Sequence, residues 1–169
     1  MTTAFRSVIA ASLMGLSIPI YAADSNDPAK GLPSASVFSE KFLPDRQGVV
    51  SWKTLASVEP VKQGAKMVPR FNKAILDLDK QRVRVQGFIL ALDVSQQEQK
   101  HFLITAVPPH CPFCLPAGPD AIIEVFANKP VRYDLEPIIV SGKLAVLRDD
   151  PSGVLYRLTE AESVASGTK

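Results

Sequence analysis

Cysteine and histidine are scarce in this 169-residue chain, two of each, and both cysteines sit in one short segment, as Cys111 and Cys114. No disulfide framework can therefore tie distant parts together. A closed four-cysteine zinc site within one chain is excluded as well, because there is no second Cys-x-x-Cys. Charge of one sign is also lacking: the formal net charge is +2, with no concentrated basic run, which argues against a nucleic-acid binder. No apolar run beyond the N-terminus approaches the roughly 20 residues that span a bilayer. Phosphate loops, a Ser-His-Asp order, paired catalytic carboxylates and HExxH are all missing, so hydrolase chemistry has no candidate constellation.

What is present begins with an export signal. Arg6 is followed by an uncharged apolar stretch from Ser7 to Ile20, then Tyr21-Ala22-Ala23 and an abruptly polar Asp24. A basic tip, a short apolar core and small residues at its end are what signal peptidase reads. Cleavage after Ala22 is expected, since cleavage after Ala23 would place the bulkier Tyr21 three positions upstream. Pro19 interrupts the apolar run, which falls short of a membrane span. Residues 1–22 are therefore expected to be a signal peptide, and the periplasm the working compartment. Loss of Arg6 with the leader lowers the net charge by one, which weakens further any case for a polyanionic partner.

Residues 23–47 are rich in Ser, Pro, Gly, Ala and charge and read as a flexible N-terminal arm. The single domain spans 48–169. Ser51 is placed to cap a short helix carrying Trp52 and Leu55, ended before Pro60. Residues 61–73 read as irregular, with Gly64 and Pro69 as breakers. Five strands follow: 82–92, 101–107, 121–126, 137–147 and 154–158. Both the first and the fourth carry a glycine inside a long apolar run, Gly87 and Gly142, as expected of strands that bend to serve both sides of a small barrel. The fold class expected is all-β: a small five-stranded barrel of the oligonucleotide/oligosaccharide-binding (OB) kind, with a short N-terminal helix.

The chemistry-bearing segment lies between the second and third strands: Val107-Pro108-Pro109-His110-Cys111-Pro112-Phe113-Cys114-Leu115-Pro116-Ala117-Gly118-Pro119-Asp120. Flanking prolines make this loop stiff. Three readings stand side by side. In the first, Cys111 and Cys114 form a knuckle that points two thiolates at one zinc ion, with His110 as imidazole donor and His101 or Asp120 as weaker candidates for a fourth ligand. Such an open site suits a metal carrier. In the second, Cys-Pro-Phe-Cys works in thiol–disulfide exchange, although that chemistry wants a helix running on from the first cysteine, and Pro116, Gly118 and Pro119 disfavour one. In the third, the pair closes a small disulfide that braces the loop of a protein-binding adaptor, with little gain in stability from so short a ring.

Other polar residues have plain readings. His101 reads as a strand-end polar group. Arg82 and Arg84 alternate with Val83 and Val85 as the outer face of a half-buried strand, although they also offer a candidate anion site. Asp149 and Asp150 belong to a tight turn, and Trp52 to the core.

Trp52-x-x-Leu55, Phe71, Leu78-Asp79, Val83-x-Val85-x-Gly87-Phe88, Phe102-Leu103, Cys111-x-x-Cys114, Val140-x-Gly142 and Tyr156-x-Leu158 together resemble the bacterial domain of unknown function 3299 family. One departure is Lys80, where a glycine is expected in the turn before the first strand. The resemblance implies a small exported protein, often found beside ABC transporter genes, some of them connected with metal supply. It carries no assigned catalytic residue, and Cys111 and Cys114 match its cysteine pair. The function expected is that of a periplasmic binding or accessory protein handling zinc for a transport system, with a transporter or another periplasmic protein as partner.

Overall fold

Two short helices, a hairpin, a third short helix and then a closed barrel succeed one another along the chain. The computed structural model describes residues 36–110 and 118–164. Helix α1 (Ser36–Phe42) falls inside the stretch expected to be an arm. Leu43, just after it, is buried, and the Phe42 ring meets Phe88 edge-on at 6.4 Å between centroids. Helix α2 (Trp52–Leu55) starts as expected at Ser51, whose hydroxyl accepts the Lys53 N–H at 3.2 Å. Trp52 and Leu55 are both buried in the core. Trp52 Nε1–H donates to Gln86 O at 2.8 Å, so the indole's single polar atom is satisfied inside.

Residues 59–70 are not irregular, contrary to the expectation from sequence. They form a two-stranded hairpin, β1 (Glu59–Gln63) and β2 (Lys66–Arg70), around Gly64 at φ 64°. Pro60 sits directly opposite Pro69, and an Arg70–Glu59 ion pair closes the open end. In a ribbon of two strands each has a free edge, so a proline without an N–H is tolerated there. With almost no residue buried on either face, the alternation that betrays a strand is missing.

Helix α3 (Lys73–Leu76) is capped by Asn72, whose Oδ1 accepts the Ile75 N–H at 3.0 Å, and it buries Ile75. The turn beyond it places Lys80 at φ 62°, a left-handed conformation that explains why a glycine is expected there. Lys80 tolerates it because its N–H is bonded to Leu144 O at 2.7 Å, and Asp79 Oδ1 accepts the Val146 N–H at 2.9 Å.

The barrel consists of β3 (Arg82–Ala91), β4 (Glu98–Thr105), β5 (Ile122–Arg132), β6 (Ile138–Val146) and β7 (Tyr156–Val164). The order is β3-β4-β5-β7-β6, closed by β6 pairing back onto β3. Only β5 and β7 run parallel. Counted within the barrel this is first-second-third-fifth-fourth, the order of the OB barrel expected from sequence. Both glycines act as expected. β3 pairs with β6 up to Gly87 and with β4 from Phe88 onward, while β6 carries a bulge against β7 between Ser141 and Lys143. Strands β4, β5 and β7 extend beyond the ranges read from sequence, through mostly exposed polar residues among which only Gln99, Val131 and Ala161 are buried, too few to mark a strand.

Tyr156 ties the N-terminal segment to the barrel. It is fully buried, and its hydroxyl donates to Leu55 O at 2.6 Å. Tyr156→Phe is expected to lower the unfolding free energy by about 1–2 kcal/mol, because a buried carbonyl loses its partner. In urea the midpoint should fall with unchanged slope.

Candidate metal loop and the charged face of the barrel

The loop that bears the cysteines leaves the barrel through a pinned neck. Strand β4 ends at Thr105, and Ala106, Val107 and Pro108 after it remain buried. Thr105 Oγ1–H donates to Val107 O at 2.7 Å. On the return side a turn of 3-10 helix, Pro119–Ala121, leads straight into β5. Ala106 N–H donates to Ala121 O at 3.1 Å, and Ala121 N–H to Gly118 O at 2.9 Å, so both feet are joined where they enter the core. Cys111 and Cys114 themselves lie outside the described residues.

His110 sits at the outgoing foot, exposed, immediately before Cys111. Asp120 sits on the 3-10 turn at the returning foot and folds back over Gly118. A Cβ added to Gly118 would lie 2.7 Å from Asp120 Oδ1. The Asp120 charge also reaches the core: burial first, and then this carboxylate, push the Tyr156 hydroxyl well above the ordinary phenol range.

His101 is placed elsewhere. It lies within β4 on the outer face of the barrel, about 13 Å along the strand from Thr105 at ~3.3 Å per residue. Its ring stacks on Phe126 at 4.3 Å and 10°, and its Nε2 is 2.9 Å from Glu124 Oε1. Glu124 Oε2 accepts Arg157 Nε–H at 2.6 Å, and Arg157 reaches on to Asp150 Oδ2 at 2.9 Å while its guanidinium lies 5.9 Å from the centre of the Phe126 ring. Four elements thus supply one charged chain: β4, β5, β7 and the turn between β6 and β7. Among the described residues no group of three or more His, Cys, Asp or Glu side chains converges as a metal cluster.

Sequence reasoning found His101 and the Asp150 turn but not their connection. Glu124, Phe126 and Arg157 look like ordinary outward positions on their strands. Only the register, with His101 opposite Phe126 and Glu124 opposite Arg157, makes them neighbours. Burial alone would raise the Glu124 carboxyl. The hydrogen bonds and charges of His101 and Arg157 outweigh it and hold the group below the ordinary glutamate range. A carboxyl lowered by folding lends stability above its unfolded value and loses it as pH falls through its folded one. Glu124→Gln is therefore expected to lower the melting temperature at pH 7 and to flatten its fall between about pH 5 and pH 3. Melting curves across that range check this, and parallel curves for the two proteins would count against it.

Comparison with known proteins gives a family model of proteins of unknown function, DUF3299, that matches residues 40–162. The crystal structure of a DUF3299 family protein from Pseudomonas aeruginosa PAO1 is similar at 21% identity and a TM-score of 0.45, covering 59% of this chain and 70% of that one. No curated protein matches the chain.

Proposed function

The chain belongs to the DUF3299 family, and from that premise we propose that it is a periplasmic accessory protein that handles a transition metal, zinc, for a transport system. Cys111 and Cys114 supply the thiolates and His110 the imidazole. Soft sulfur and imidazole donors suit zinc, and three protein ligands leave a fourth position open for exchange with a partner. The observation that carries this reading is the pinned neck: the Ala106–Ala121 hydrogen bond and the buried Ala106, Val107 and Ala121 fix both ends of a short, proline-rich loop. A loop held so loses little entropy when its ligands close on an ion, so donors on it bind more tightly than on a free tail.

The same geometry disfavours the thiol–disulfide reading. Beyond Cys114 the chain reaches Gly118, the 3-10 turn and then β5. This leaves room for no more than about one turn of α-helix after the cysteines. A long helix continuing past Gly118, of the kind whose dipole acidifies a redox cysteine, has no place there, because the 3-10 turn and β5 occupy that stretch.

The test is made on protein purified from the periplasm without added metal or chelator, by elemental mass spectrometry and thiol counting on one sample. The expected result is near-stoichiometric zinc with both thiols protected, and reactive after chelation. The paired Cys111→Ser and Cys114→Ser variant should carry none. No metal, no free thiol and no zinc uptake after mild reduction would leave the thiol–disulfide and loop-bracing readings in its place, to be separated by the reduction potential of the cysteine pair.

A further inference from the structure

A second feature lies on the outside of the barrel, along the β3–β6 seam. Val83 and Val85 of β3 turn inward and are buried, so Arg82 and Arg84 turn outward. On β6, Val140 and Leu144 are buried, so Ser141 and Lys143 turn outward. The register sets Arg82 directly opposite Lys143 and Arg84 directly opposite Ser141. Like charges facing each other across a ladder are unfavourable, so this face carries a cost that a merely solvated surface would avoid.

Counter-charge is incomplete. Glu160, held at φ 51° opposite the β6 bulge, reaches Arg82 with Oε2 at 3.0 Å. Glu162 stands across from Ser141 and accepts a hydrogen bond from Asn128 at 3.4 Å. Among the described residues neither Arg84 nor Lys143 has an ion-pair partner. Beside them lies an open groove of about 490 Å³, lined by Gly48, Val49, Val50, Arg82, Arg84 and Ser141. Its far wall is fixed, because Val50 N–H donates to Arg84 O at 2.8 Å and α2 follows directly. Gly48 stands at its mouth at φ 76°, with open space where a Cβ would be.

We propose that this groove binds a small multivalent oxyanion, a phosphate or a polycarboxylate. Arg84 is the main ligand, Arg82 and Lys143 flank it, and the Ser141 hydroxyl donates. The guanidinium fork matches two oxygens of either group. A volume of this size falls in the range of small-molecule sites. The site is remote in sequence from the cysteine loop and independent of it.

Titrating the purified protein with inorganic phosphate and, separately, with citrate, followed by amide chemical shifts, tests the proposal. Saturable one-to-one binding is expected, with shifts centred on Arg82, Arg84, Ser141 and Lys143, and weakening as salt rises. The preferred probe identifies the ligand class. Arg84→Ala should weaken binding about 10–100-fold, as loss of charge-assisted hydrogen bonds does, and Arg84→Lys should restore part of it. Glu160→Gln removes the competing carboxylate and should tighten binding several-fold. Arg84 is exposed, so its variants are expected to fold, as their melting curves would verify. No saturation with either anion, or an unchanged affinity in folded Arg84→Ala, overturns the proposal.

Discussion

Gly87→Ala is expected to be among the most damaging single-methyl additions to this barrel. The added Cβ would stand 2.2 Å from Ile104 Cγ2, 2.8 Å from Thr105 O and 3.3 Å from Trp52 Cζ2. A side-chain methyl can rotate away, but a ladder carbonyl cannot, so the strand itself must shift. It must do so at the residue where β3 leaves β6 and joins β4, and where Trp52 is anchored through the neighbouring Gln86 carbonyl. Overpacking of this kind costs about 1–3 kcal/mol, with the upper end expected when backbone is the obstacle. That is a large share of the ~5–15 kcal/mol a domain usually has. Gly153→Ala provides the control, because its φ is 75° but nothing lies within 4 Å of its Cβ position. It should lose only the roughly 1–2 kcal/mol of a left-handed residue. Urea unfolding compares them. Equal losses at the two positions would mean that β3 does not cross so tightly at Gly87.

The same glycine shows why much of this fold is legible in the sequence. A break in apolar alternation at a glycine has few physical causes, and two such breaks in long strands nearly demand a small barrel. The Ser51 cap and the inward Trp52 follow from equally local rules. The β1–β2 hairpin escapes because its strands bury almost nothing and place prolines across from each other, so neither periodicity nor propensity marks them. Helix α1 escapes for a related reason: it is only seven residues long, and the contacts at its end, Phe42 against Phe88 and the buried Leu43, are made with a core that local reading cannot see. The charged chain from His101 to Asp150 is the deepest case. Each of its members has a sufficient bland explanation alone, and their association depends on the parallel β5–β7 pairing, a contact between strands distant in sequence. The cysteine loop lies at the opposite extreme. Its candidate ligands are adjacent in the chain, so sequence names them directly, and the fold adds the pinned feet.

Zinc affinity is expected to depend steeply on pH, and the slope separates the ways the cysteines can work. Two thiols must give up protons to bind the ion, and below their ordinary value near 8.5 each contributes about tenfold per pH unit. Affinity should therefore fall roughly 100-fold per unit as pH drops below about 8. Cys111→Ser alone should cut the slope to about tenfold, and His110→Ala should weaken binding while leaving the thiol slope in place. Because the ion would close a loop whose feet are already fixed at Ala106 and Ala121, its removal should not unfold the barrel. It should cost only the linkage term, about 2.7 kcal/mol at free zinc a hundred times the dissociation constant. Chelation is thus expected to lower the melting temperature modestly while leaving one cooperative transition, unlike a domain that folds only around its metal. Competitive titration with a zinc chelator across that pH range measures the slope. A flat profile, or one unchanged by Cys111→Ser, would remove the thiolates from the site.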